Sequence, residues 1–185
     1  IVIILVSIII NFGINKYFNS YSILTNLIII SSIFLIMYSI MDLIKMVRKK
    51  TFMDTPRIIS HLGFGFLVFF IGINHSFSIS NDFNIKVGEE KKFKNYLIDF
   101  QSLNTREREN YKAIVGMFNI TNLENSTEEI LTPEIRIYSN PETLTYEASI
   151  KSKISYDLYL TMSNINRTEF YNIKFQKKPF MLWIW

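Results

Sequence analysis

The chain of 185 residues contains no cysteine. Disulfides, Cys-ligated zinc, iron–sulfur ligation and thiol catalysis by this chain are thereby excluded. Glycine and proline are sparse, at six and four residues, and there are two histidines and two tryptophans. No phosphate-binding glycine loop, nucleophile elbow or paired His–Asp motif occurs in the sequence. With no cysteine and one histidine inside an apolar stretch, the chain alone cannot build a closed metal site. What abounds is Ile, Asn, Phe, Lys and Tyr. These residues have A/T-rich codons, so an A/T-rich organellar genome is a natural source, and an A/T-rich bacterium would look similar. The chain begins at Ile1 rather than Met and ends in an apolar run, so both ends are expected to be cuts in a longer protein.

Charge is as unevenly spread as bulk. Residues 1–44 and 58–73 are nearly uncharged, whereas 76–178 are polar. The expected organisation is membrane helices at about 1–14, 21–44 and 58–75, a basic loop at 45–57, a soluble domain at 76–178, and the start of a further span at 179–185. A full span needs about 20 residues, so 1–14 reads as the tail of one. It is not read as a signal peptide, because no basic region precedes it and no small-residue cleavage site follows. From Asp82 to Lys178 there are 14 Lys/Arg and 14 Asp/Glu, so the net charge of +4 comes from the remainder, chiefly Lys45, Arg48, Lys49, Lys50 and Arg57. A basic loop stays on the side of insertion, which places 45–57 on the matrix or cytoplasmic side and 76–178 on the other. This basic balance reports topology; no nucleic-acid-binding motif accompanies it. Trp183 and Trp185 suit a membrane interface.

Within 76–178, apolar and polar residues alternate at 83–87, 96–100, 114–120, 135–138, 156–160 and 171–175. This period of two marks half-buried strands. Breaks fall at Gly88, Asn104–Asn110, Asn122–Glu128 and Asn140-Pro141, and 144–155 fit either strand or short helix. The fold class is therefore membrane α-helical segments plus a small all-β soluble domain, an antiparallel barrel or sandwich. The mixed-sign runs Glu89-Glu90-Lys91-Lys92 and Arg106-Glu107-Arg108-Glu109 read as solvated turns. Glu134 and Asp157 lie in strand-like segments, where carboxylates are costly unless paired, so ion pairs with Arg136 or a lysine are expected. Glu134 and Arg136 should alternate with an apolar face of Ile135 and Ile137. Three Asn-x-Ser/Thr patterns, at Asn119, Asn125 and Asn166, are expected chance matches in so Asn-rich a chain.

The candidate site centres on His61, a few residues inside the third apolar segment. A polar ring in lipid is a functional-site candidate by default. Neutral imidazole can hydrogen-bond across helices, relay protons or ligate a metal. Gly65 and Gly72 fall on roughly the same helix face. Such a face, with a ligand-type side chain and no bulk beside it, would admit a flat group such as a porphyrin. Equally, the glycines would let a neighbouring helix approach and His61 bond to it. His75 lies about 21 Å further along a straight helix, too far to share one haem with His61. It reads as an interfacial polar residue.

Five segments in order then carry a resemblance: Ser60-His61-Leu62-Gly63, Thr132-Pro133-Glu134-Ile135-Arg136-Ile137-Tyr138, Tyr146-Glu147-Ala148-Ser149-Ile150, Asp157-Leu158-Tyr159-Leu160, and Lys178-Pro179-Phe180-Met181-Leu182-Trp183-Ile184-Trp185. Together they resemble the C-terminal third of the CcmF family of cytochrome c maturation proteins, well over 56–185 and by hydrophobicity alone over 1–55. The resemblance implies a part of the haem lyase that attaches haem to the thiols of apocytochrome c. It also implies a membrane b-type haem held by two histidines, of which His61 matches one; from helical spacing, Gly65 on the same face would then lie beside the ring. The second ligand would come from another chain. The family's tryptophan-rich haem-handling segment and its flanking outer histidines are absent here, so the chain alone is expected to be non-catalytic. The implied partners are the rest of the lyase, apocytochrome c and the bilayer. The implied location is the mitochondrial inner membrane, with the β domain in the intermembrane space, or the bacterial inner membrane with a periplasmic domain. The alternative is a non-enzymatic structural subunit of a respiratory-chain complex.

Overall fold

The structure, a computed structural model, describes residues 2–18, 22–50, 52–164 and 169–185. The third Asn-x-Thr pattern, at 166–168, lies outside them. The chain divides into a unit of Ile1–Ser78 with Pro179–Trp185, and a second unit of Ile79–Lys178.

The first unit holds three helices: α1 (Val2–Phe18), α2 (Ile23–Lys49) and α3 (Thr55–Phe77). Ile23–Lys49 and Phe52–Phe77 are each long and apolar enough to cross a membrane, and α1 is a shorter apolar helix. α2 runs on past Ile44 through Lys45, Arg48 and Lys49, residues that favour helix, so the expected basic loop is largely helical. It stops at Lys50, whose left-handed backbone (φ 54°, ψ 32°) turns its N–H onto the carbonyls of Met46 and Val47. α3 opens with Pro56 in its first turn, where the missing N–H removes no helical bond. It continues to Phe77, so Ser76 and Phe77 belong to the helix, not to the β domain. The helices meet through small and polar residues and through an apolar cluster of Ile29, Ile33 and Ile73. Asn11 and Asn15 of α1 both donate their amides to the Asn26 Oδ1 of α2, at 3.3 and 2.6 Å. Ser76 donates to Thr25 at 2.8 Å. Pro179–Trp185 holds a 3-10 turn at Met181–Trp183. The turn packs on α3, with Trp183 stacked on Phe70 at 5.6 Å between ring centroids and the Asn74 amide donating to the Pro179 carbonyl at 2.7 Å.

The second unit is a β-sandwich. One sheet has the order β1 (Ile79–Ile85), β10 (Tyr171–Pro179), β9 (Tyr156–Asn164), β8 (Ser149–Ser152). The other runs β2 (Glu90–Phe93), β3 (Tyr96–Glu107), β4 (Tyr111–Asn122), β6 (Glu134–Ser139), β7 (Glu142–Glu147), with β5 (Thr127–Leu131) also paired to β4. Inward residues of both sheets form one core, including Phe100, Phe118, Leu158, Leu160, Ile173 and Phe175. Phe100 stacks on Phe118 at 4.2 Å, and Gly116 leaves their space open: a Cβ there would lie 2.7 Å from Phe118 and 2.8 Å from the Met162 sulfur.

All six expected strands are present, and several boundaries differ. A register shift between Phe100 and Ser102 lets β3 continue through Asn104 to Glu107, where a break was expected. Glu90–Phe93 is a strand rather than a solvated turn, and Thr127–Leu131 is another within and beyond an expected break. The ambiguous 144–155 contain β8 and most of β7. Ile135 is buried, but Ile137 is exposed, because β6 runs beyond the core beside the open start of β4. Glu134 is paired as expected, receiving Arg136 Nε at 2.8 Å and Arg106 at 3.5 Å. Asp157 is not: its buried Oδ1 has no hydrogen-bond partner among the described residues.

Candidate functional site

α3 fixes both His61 and the glycines, and it sends them to different surroundings. Gly65 is buried beneath α2: a Cβ there would lie 2.8 Å from Ile36 Cγ1 and 3.4 Å from the Ile36 backbone nitrogen. Gly72 is buried likewise, its Cβ position 3.1 Å from Ile28 and 3.4 Å from Ile29. The room expected beside His61 at Gly65 is thus filled by α2. Four residues on a helix leave a turn of about 40° between Gly65 and His61, enough to carry the imidazole over the flank of the contact. His61 is exposed, and it makes no hydrogen bond or ion pair among the described residues. It lies about one turn inside Arg57, which pairs with Asp54 at 3.5 Å. Asp42, Lys45 and Lys49 share that end of the helices.

His75 is exposed near the other end of α3, on the rim of an apolar recess of about 150 Å³ that also touches Leu24, Ile28 and Gly72. The structure therefore does not bring the two histidines together. No cluster of three or more His, Cys, Asp or Glu fit to hold a metal occurs among the described residues. A lone outward imidazole does suit one axial position of a haem whose other ligand lies outside this chain. The feature that sequence reasoning missed is the Asn11–Asn15–Asn26 set. Its signal was present: Ser7, Asn11 and Asn15 recur every four residues in an otherwise apolar helix.

In the sandwich, a cavity of about 450 Å³ opens between the β3–β4 and β6–β7 turns, against Arg108, Tyr111, Ile137 and Tyr138. Around the sandwich, lysine–carboxylate pairs set the local electrostatics. Hydrogen bonding from Lys153 and Lys151 holds the Glu129 carboxyl below its ordinary range, and Glu129 in turn raises Lys153. Among these groups none forms a nucleophile–base pair.

Comparison with known proteins matches residues 76–179 to the CcmF C-terminal beta-sandwich. The chain is 25% identical over 137 residues to the cytochrome c-type biogenesis protein CcmF of Escherichia coli, covering 74% of this chain and 21% of that protein. It is 27% identical over 139 residues to the protein of the same description from Haemophilus influenzae, covering 75% and 21%. A solved structure, a cytochrome c heme lyase CcmF, follows the whole chain with a TM-score of 0.73 at 12% identity, over 31% of its own length. The chain thus spans about a fifth of the curated relatives it matches. Because the matched sandwich accounts for more than half of its residues, the chain belongs to the CcmF family.

Proposed function

We propose that this chain is the C-terminal part of a haem lyase acting in cytochrome c maturation, and that His61 supplies one axial ligand to a membrane b-type haem. The relatives' descriptions, biogenesis of c-type cytochromes and haem lyase, support the first half. The observation that carries the second is the outward, unpartnered imidazole of His61 on an apolar helix. Gly65 and Gly72 serve it indirectly. By seating α2 against one side of α3, they fix the helix rotation that holds His61 on the flank. A haem there would supply one-electron chemistry. The chain's own share is to hold the ligand and anchor the sandwich. The second ligand and the tryptophan-rich haem-handling part come from the remainder of the lyase, and apocytochrome c is the substrate. In this reading the basic ends of α2 and α3 face the mitochondrial matrix, or the bacterial cytoplasm, and the sandwich faces the opposite compartment.

The test is the optical spectrum of the purified assembly. His61→Ala should abolish or strongly weaken the b-haem bands while the assembly still inserts, and cytochrome c maturation should fall with them. His61→Gly with added imidazole should restore the bands. A normal b-haem spectrum with normal maturation in His61→Ala would overturn the ligand role and leave the chain as a structural subunit.

A further inference from the structure

One end of the sandwich carries several features at once. Both chain crossings between the two units occur there, since β1 starts at Ile79 and pairs with Lys177, next to the last residue of the unit. The β2–β3 turn, Lys94-Asn95, lies at the same end: its flanking Phe93 and Tyr96 both pack on Phe175. Leu123, in the β4–β5 turn, donates its N–H to the Asn95 carbonyl at 2.8 Å. The β8–β9 turn joins them, because Lys177 Nζ sits 4.6 Å from the ring centroid of Tyr156, the first residue of β9. Two of these turns present apolar tips, Leu123 at 44% and Ile154 at 73% exposure.

Three basic groups at this end lack a carboxylate partner. Lys153, in the β8–β9 turn, pairs with Glu129, whereas Lys94, Lys177 and Lys178 have no ion pair among the described residues. These three rest on aromatic faces. Lys177 Nζ also lies 5.5 Å from the Tyr96 centroid, Lys178 lies 4.9 Å from Tyr159, and Lys94 lies 5.8 Å from Phe93. An ammonium held on a ring keeps its charge and offers its remaining donors outward. β3 runs from this end to Glu107, about 36 Å away at the usual rise per residue. At that far end Lys112 is neutralised by Glu107 at 2.7 Å. Unpaired lysines, amphipathic tyrosines and apolar turn tips on one rim match the layered chemistry of a bilayer surface: anionic phosphates above, acyl chains below.

We propose that this rim binds the surface of a bilayer containing anionic phospholipid, with Lys94, Lys177 and Lys178 at headgroup phosphates and Leu123 and Ile154 at the acyl boundary. The proposal rests on the reading that α2 and α3 cross a membrane. The absence of cysteine makes the test direct, because any introduced thiol is unique. The full chain carries Leu123→Cys, Ile154→Cys or, as the far-end control, Glu109→Cys, each labelled with an environment-sensitive fluorophore. It is then placed in nanodiscs of phosphatidylcholine, with or without phosphatidylglycerol, doped with brominated lipid. Quenching at positions 123 and 154 should be several-fold greater than at 109, and should deepen with phosphatidylglycerol. Added salt should reverse that deepening, whereas millimolar inorganic phosphate at constant ionic strength should not. Combining Lys94→Gln, Lys177→Gln and Lys178→Gln should remove the dependence on phosphatidylglycerol. Equal, weak quenching at all three positions in chains that co-elute with the discs would overturn the proposal alone. Displacement by inorganic phosphate would overturn it in favour of a free-anion site. Failure to co-elute would overturn the membrane reading beneath it.

Discussion

The helical unit and the sandwich differ in what they bury. Between α1, α2 and α3 the interior mixes Ser7, Asn11, Asn15, Thr25, Ser32, Gly65 and Gly72 with Ile29, Ile33 and Ile73, while Ile9, Leu24 and Phe64 point outward. In the sandwich the interior is Phe100, Phe118, Phe175 and their aliphatic neighbours, and Asn122 is the one buried polar residue found among those described. The two patterns fit the proposed placement, with the helices in lipid and the sandwich in water. In water, large apolar side chains leave the solvent, and their burial drives folding. In lipid they gain little by turning inward, so helices associate through close approach at small residues and through hydrogen bonds such as Asn15 to Asn26.

The largest expected effect lies on the water-facing side of this contrast. Phe118→Ala removes a fully buried ring stacked on Phe100 and should cost about 3–5 kcal/mol of sandwich stability. The same truncation at Phe64, which is 60% exposed on α3, should change stability by less than about 0.5 kcal/mol. Denaturant unfolding of both variants checks the pair, and comparable losses would erase the distinction. Next comes Gly65→Val, which drives side-chain atoms into Ile36 of α2 and should cost about 1–3 kcal/mol of helix packing. Thermal unfolding in nanodiscs reads this, and a variant as stable as the parent would show that the close approach is dispensable. The smallest effect sharpens the rule for buried polar groups. The Tyr96 hydroxyl is buried without a hydrogen-bond partner among the described residues, so Tyr96→Phe should alter stability at neutral pH by less than about 1 kcal/mol. Burial, then the nearby Tyr156 and Glu124, pushes that hydroxyl up to about 12 from 10.0. Between these values the unfolded chain has released a proton that the folded chain keeps, so stability present below pH 10 falls as pH rises towards 12. Denaturation across that window should show the slope in the parent and a flatter one in Tyr96→Phe.

Strands with one wet and one dry face were legible in the sequence. β4 and β9 alternate buried with partly exposed residues along most of their length, and period-two reading finds them. β2 and β5 escaped it because they are short and open on polar residues; Glu90, Lys91 and Lys92 are all exposed, and Thr127, Glu128 and Glu129 precede Ile130 and Leu131. Their strand character comes from pairing with β3 and β4, a long-range fact that local alternation does not carry. The site was legible to a similar depth. Helical spacing placed His61 near Gly65, but not α2 over the glycine, because an angle around one helix does not say where its neighbour stands. Asn11 and Asn15 were visible as exceptions in an apolar run, yet their shared partner, Asn26, lies on another helix.

The pairing of Ile79 with Lys177 also has a meaning in time. During synthesis β1 leaves the ribosome first, yet β10, its one neighbour in the sheet order, is the last strand to emerge. Until Lys178 has been translated, β1 remains a strand without a ladder, and the sheet it belongs to cannot close. Contacts so distant in sequence form slowly, and the unpaired edge is exposed to other chains meanwhile. The sandwich is thus completed late, only once β10 has followed every other strand out of the ribosome. A nascent chain stalled just short of Tyr171 would carry every strand but the one that joins its beginning to its end.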